Sequence, residues 1–183
     1  MAAKKNRPLK NSFVHIYTGD GKGKTTASIG QAVRAASAGN KVLFVFFNKK
    51  KPKQQGEYRL MEQIGIKTKF YACKHPAFYP DEPDENIRRE TLKGLKYIDE
   101  QIKNEKYDMV VLDEILISLR DNFITEKELM EFLNKNSEKI GLILTGRVKL
   151  TKKLKSKADL ISQIRNIKHP FEKGAKYRKG IEI

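Results

Sequence analysis

Nine consecutive residues, Thr18-Gly19-Asp20-Gly21-Lys22-Gly23-Lys24-Thr25-Thr26, combine the side chains that phosphate chemistry needs. Glycines at 19, 21 and 23 remove side-chain obstruction, so successive backbone N–H groups can curl around phosphate oxygens. Lys24 would neutralise phosphate charge, and the hydroxyl of Thr25 is positioned to ligate a magnesium ion bridging those oxygens. Asp20, Lys22 and Thr26 belong to the same turn, so Gly19, Asp20, Gly21, Lys22, Gly23, Lys24, Thr25 and Thr26 together form a candidate nucleotide site. The spacing follows G-x-x-x-x-G-K-[ST], except that Thr18 stands in the first glycine position and a glycine follows one residue later. A turn that binds nothing is the bland alternative. The strand pattern before it and the alanine-rich helix pattern after it favour phosphate.

A phosphate loop needs an acid to hold its metal. The stretch Asp108-Met109-Val110-Val111-Leu112-Asp113-Glu114 supplies one, because a buried parallel strand ending in acids delivers them to the same sheet edge as the loop. Asp113 and Glu114 point to opposite sides of an extended chain, so one of the two faces the metal. Thr145-Gly146-Arg147 closes the next strand pattern at that edge. Arg147 could set a guanidinium beside phosphate or ribose, or be a plain surface arginine, and Thr145 could donate a hydroxyl.

Short apolar, β-branched or aromatic runs must position these groups. They fall at 13–17, 42–47, 66–71, 109–112 and 140–144, with a sixth candidate at 160–164. Amphipathic stretches separate them: 24–38 ends at Gly39-Asn40, 84–104 carries Leu92, Leu95, Ile98 and Ile102 on one stripe, and Thr125 with Glu128 forms a capping box. This alternation reads as α/β, a mostly parallel sheet. Strands apolar throughout imply helices on both faces. Residues 1–12 read as a basic, flexible start, residues 13–183 as one domain, and 48–55 and the proline-containing 74–84 as irregular.

Composition removes several classes. No apolar run approaches the roughly 18 residues that span a bilayer, and no signal-peptide core follows the basic start, so a cytoplasmic location is expected. One cysteine, Cys73, and three scattered histidines offer neither a disulfide nor a zinc spacing. The 38 Lys and Arg against 22 Asp and Glu leave a net charge of +16, which favours anionic partners without choosing among them. A nucleic-acid-dependent P-loop ATPase and a small-molecule kinase are therefore the alternative functions. No recognition motif or aromatic stacking pattern accompanies the charge, which reads mainly as a lysine-rich solvated surface.

The segments TGDGKGKTTASIG, DMVVLDE, LTGR and ADLISQIRNIKHPFEKGAKYRKGIEI resemble, in order and over nearly the whole chain, the P-loop ATP:corrinoid adenosyltransferases. In the last segment Lys168, His169, Phe171, Gly174, Lys176, Gly180 and Ile181 fall at that family's spacing, and a threonine in the first glycine position is its own loop variant. The resemblance implies a single-domain P-loop NTPase-like, RecA-like fold. It also implies transfer of the 5′-deoxyadenosyl group of ATP to the Co(I) of a reduced corrinoid, with release of triphosphate in adenosylcobalamin synthesis or salvage. ATP would be the co-substrate and magnesium or manganese the metal. Lys24, Thr25 and Glu114 would be catalytic, with Thr25 and Glu114 on the metal and Arg147 on the nucleotide. An electron donor such as a flavodoxin or reduced flavin, and a homodimer, are implied partners. Relatives place an aromatic pair under the corrin; this chain has no tryptophan, and Phe78 and Tyr79 are its candidates. Because the nucleophile belongs to the corrinoid, no Ser, Cys or His device is expected, Cys73 is an incidental thiol, and His169 reads first as a loop cap.

Overall fold

The computed structural model describes residues 12–49, 56–170, 174, 178, 180 and 181. Apart from Ser12, the basic start lies outside the described residues, as do residues 50–53 of the lysine cluster, Phe171 and Lys176. The elements run β1 (Phe13–Thr18), α1 (Lys24–Ser37), β2 (Val42–Phe47), α2 (Glu57–Gln63), β3 (Lys67–Tyr71), α3 (Asp84–Asn104), β4 (Met109–Asp113), α4 (Ile115–Arg120), α5 (Glu126–Asn136), β5 (Gly141–Thr145), α6 (Lys152–Lys157) and β6 (Leu160–Gln163).

The six strands form one sheet in the order β3-β2-β4-β5-β1-β6, and every pairing is parallel. All six runs became strands; β2, β4 and β5 are buried throughout, where burial on both faces selects continuous β-branched and aromatic sequence. On one face Tyr17, Phe44, Phe46, Met109, Val111 and Ile143 meet Ala32 and Ala35 of α1 and Tyr58 and Met61 of α2. On the other, Val45, Phe47, Val110, Leu112 and Leu144 meet Leu95 and Ile98 of α3 and Leu129, Phe132 and Leu133 of α5. The expected three-layer arrangement is present. β6 differs, since it is exposed along its whole length at the sheet edge.

Three short helices did not stand out in the sequence. α2 turns inward only Tyr58 and Met61, one helical turn apart, and α6 is anchored by Leu154 after a Thr151 cap whose hydroxyl takes the Leu154 N–H. α4 follows β4 directly, and its run Ile115-Leu116-Ile117 continues the strand's apolar pattern. Glu114 breaks that continuity by adopting the left-handed region at φ +62°.

Register aligns the carboxyl ends that matter. Tyr17 sits level with Thr145, Leu112 with Leu144, and Asp113 with Phe46. The turn after β1, the acids ending β4, the threonine ending β5 and the exit from β2 therefore share one edge, where a parallel sheet places its ligands.

Candidate functional site

The turn after β1 leads into α1 with Gly23 as its amino-terminal cap, so Lys24, Thr25 and Thr26 are the first helical residues. Their N–H groups have no carbonyl one turn back to bond, and with the helix dipole they form an anion-seeking end. Lys24 is half-buried and its Nζ donates to the Gly21 carbonyl at 2.8 Å. Burial lowers its pKa first, the Glu114 carboxylate opposes this, and the Arg147 charge adds to the lowering. Thr18 earns the first glycine position by structure: its buried hydroxyl donates to the Val148 carbonyl at 3.2 Å, tying the loop to the segment after β5.

The first two glycines serve a close approach between backbones. A Cβ on Gly19, whose φ is +109°, would lie 2.2 Å from the Ile164 carbonyl oxygen, and one on Gly21 would lie 2.6 Å from that of Arg165. Ile164 N donates to the Thr18 carbonyl at 2.8 Å, Gly21 N to the Ile164 carbonyl at 2.9 Å, and Asn166 N to Asp20 Oδ1 at 3.2 Å. The chain beyond β6 thus continues alongside the loop. That last bond, Asp20's own backbone N–H, and the charges of Arg147 and Lys24 hold the Asp20 carboxyl below its ordinary range. The sequence reading gave Gly21's N–H to phosphate; here it is committed to Ile164. Gly23 leaves open space where a Cβ would stand, apart from the tip of Ile164 at 3.9 Å. Further out, Lys22 Nζ donates to the Ile181 carbonyl.

At the end of β4 the two acids separate. Asp113 is fully buried, and Thr145 Oγ1 donates to its Oδ1 at 2.7 Å. Its Oδ2 accepts from Thr25 Oγ1 at 3.3 Å and from Lys49 Nζ at 2.7 Å. Lys49 Nζ also reaches Thr25 Oγ1 at 2.6 Å. The chain's turn at Glu114 leaves its N–H donating to Thr145 Oγ1 at 2.8 Å and its carbonyl accepting from Asn48 Nδ2 at 3.1 Å. Burial raises the Glu114 carboxyl pKa, the Asp113 charge raises it further, and Lys49 and Lys24 oppose the rise. Thr25 thus meets Asp113, while Glu114 lies in the combined field of Lys49 and Lys24.

Thr25 Oγ1 and Asp113 Oδ2 are hard oxygen donors already facing one cation, an arrangement that suits magnesium. Among the described residues no three His, Cys, Asp or Glu side chains cluster for a metal. A divalent ion at Thr25 and Asp113 would therefore complete its shell with phosphate and water.

Arg147 is exposed just beyond β5, and its charge bears on both Asp20 and Lys24. Phe78 and Tyr79 lie elsewhere on the edge, in the loop after β3. That strand is four positions from β1, about 19 Å at the usual strand spacing. Phe78 is 76% exposed. The loop is pinned by His75, whose Nε2 meets Asp121 Oδ2 at 2.9 Å and whose Nδ1 accepts from Ala77 N at 3.1 Å. Cys73 is half-buried in the same loop.

Asn48 and Lys49 were missed as site residues because they opened a segment read as irregular and lysine-rich. The available signal was position: both follow a wholly apolar strand at the edge that carries the ligands.

The model of the family described as ATP:corrinoid adenosyltransferase BtuR/CobO/CobP matches residues 10–183. The corrinoid adenosyltransferase of Escherichia coli (strain K12) is 32% identical over 177 residues, which cover 94% of this chain and 86% of that protein. One from Sinorhizobium sp is 31% identical, covering 95% and 81%, and one from Salmonella typhimurium (strain LT2) is 29% identical, covering 94% and 86%. Among solved structures, a KaiC-like protein from Pyrococcus horikoshii OT3 superposes with a TM-score of 0.57 at 16% identity, covering 86% of this chain and 74% of that one. That likeness concerns the fold alone.

Proposed function

The chain belongs to the ATP:corrinoid adenosyltransferase family, and we propose that its phosphate loop, Thr25 and Asp113 grip the triphosphate of ATP so that it departs intact while adenosine moves to cobalt. The chain is an adenosyltransferase whose substrates are ATP and a reduced corrinoid. In the transfer, the Co(I) electron pair attacks the 5′-carbon of ATP. A cobalt–carbon bond forms, the bond from that carbon to the triphosphate oxygen breaks, and cobalt ends formally as Co(III).

Negative charge accumulates on the leaving triphosphate, so preorganised positive groups there accelerate the step. The Lys24–Thr26 N–H groups at the start of α1 and the Lys24 ammonium supply them. Arg147 adds a guanidinium beside the nucleotide. Magnesium held by Thr25 Oγ1 and Asp113 Oδ2 would neutralise more of that charge when bound. Glu114 is the second acid available to it. The observation that carries this reading is the contact between Thr25 Oγ1 and Asp113 Oδ2 at the mouth of a phosphate loop. The kinase and nucleic-acid-dependent readings have no comparable support.

Phe78 and Tyr79 would lie against the corrin from the β3 side, since an exposed aromatic ring offers the apolar surface a macrocycle can cover. Reduction to Co(I) would come from an external donor such as a flavodoxin or a reduced flavin. A cytoplasmic homodimer, with residues 13–183 as its folded unit, completes the proposal. Among the described residues no helix is long and apolar enough to cross a membrane.

Incubation with ATP, magnesium and a chemically reduced corrinoid should yield triphosphate and a light-sensitive alkylcobalt product. Stoichiometric ADP without an alkylcobalt would overturn the proposal.

A further inference from the structure

Lys49 has no part in the transfer described above, yet its ammonium occupies the centre of the site. Its Nζ lies 2.6 Å from Thr25 Oγ1 and 2.7 Å from Asp113 Oδ2, bridging the two atoms assigned to the metal. Asp113 is wholly removed from solvent, and its other oxygen is taken by the neutral Thr145 hydroxyl. A buried carboxylate needs a compensating charge, and among the described residues Lys49 supplies it to Asp113 as an ion pair.

The placement of Lys49 is built into the fold. Asn48, just before it, turns the chain off β2 at φ +56°. The buried Asn48 side chain donates to the Glu114 carbonyl at 3.1 Å and to Ser118 Oγ at 2.8 Å, fixing the strand exit against the start of α4. Lys49 itself stays 33% exposed, so its flexible stem gives the ammonium a path toward solvent.

We propose that Lys49 is an exchangeable counter-cation of the metal site: its ammonium holds Thr25 and Asp113 together before nucleotide binds and gives up Asp113 Oδ2 when a divalent ion arrives with the triphosphate. The proposal rests on the assignment of Thr25 and Asp113 to the metal. Two cations cannot share one carboxylate oxygen at contact distance without strong repulsion. The resident ammonium therefore disfavours a bare divalent ion, whereas a metal–nucleotide complex brings anionic charge that can accept the displaced ammonium. The consequence is ordered loading, with metal entering as its ATP complex. Lys49 is thus a positioning residue.

The test is titration of nucleotide-free protein with Mn2+, following free Mn2+ by electron paramagnetic resonance. Wild type and Lys49→Arg, which keeps the charge, should bind weakly. Lys49→Ala should bind Mn2+ about tenfold tighter or more, since the carboxylate loses its competitor. Adding Asp113→Asn to Lys49→Ala should remove that gain. Lys49→Met keeps the stem and serves if the alanine variant does not fold. Equal Mn2+ affinity in wild type and the uncharged variants, or a gain that survives Asp113→Asn, would overturn the proposal. Calorimetry of magnesium-ATP on wild type tests the functional reading separately. Its failure would remove the nucleotide assignment, whereas the Mn2+ series, run without nucleotide, reports on the Lys49–Asp113 pair.

Discussion

Thr145 Oγ1 donates to Asp113 Oδ1 at 2.7 Å while accepting the Glu114 N–H at 2.8 Å, so one hydroxyl serves both acids at the end of β4. Replacing it with the isosteric Thr145→Val would leave a buried carboxylate oxygen and a backbone N–H without partners. Chemical denaturation should show a loss of about 1–3 kcal/mol, with Thr145→Ser close to wild type. Equal stability of all three proteins would mean the hydroxyl is dispensable.

The separation of the two acids ranks their variants. Asp113 touches Thr25 directly, whereas the Glu114 backbone turns away in the left-handed region. Asp113→Asn should raise the magnesium concentration for half-maximal activity by about tenfold, and Glu114→Gln by less. The opposite order in a magnesium titration would transfer the ligand role to Glu114, as the family resemblance alone implied.

Gly19→Ala brings a methyl group against the Ile164 carbonyl oxygen at 2.2 Å, a contact only backbone movement can relieve. The expected result is a stability loss of about 1–3 kcal/mol. Faster amide hydrogen exchange across 160–166 should accompany it. Unchanged exchange there would show that the loop yields instead of the following segment.

Acid should loosen the contact between α3 and α5. Hydrogen bonds from Arg88 first, then from the Thr125 backbone and hydroxyl, hold the Glu128 carboxyl at a pKa of about 2, below its ordinary 4.5. A depressed folded pKa contributes stability that is present above pH 4.5 and is lost as pH falls through about 2. Denaturation midpoints of wild type and Glu128→Gln should therefore differ at pH 7 and converge near pH 2. A constant gap across that range would remove Glu128 as the cause.

The centre of the sheet was legible in the sequence because burial of β2, β4 and β5 on both faces demands unbroken apolar strands, which few other structures tolerate. The meeting of the turn after β1 with the acids at the end of β4 was legible because a parallel sheet carries the ends of its strands to one edge. α2 and α6 were not, since one or two inward side chains leave no periodic stripe to read. Lys49 was hidden for another reason. A lysine beside other lysines reads as solvated surface, and only the convergence of β2 with β4 and α1 shows that this one faces a buried carboxylate. The work of Gly19 and Gly21 was half visible: freedom from side chains could be inferred, but which segment would use the space depended on β6 lying beside β1 and leading residues 164 and 165 past the loop.

The stitching of 164–166 onto the turn after β1 also bears on biosynthesis. Translation delivers Asp20 of the loop 146 residues before Asn166 of its flanking wall. A nascent chain held on the ribosome between the two lacks one side of the proposed nucleotide cradle, so ATP can reward only a chain in which both segments have emerged.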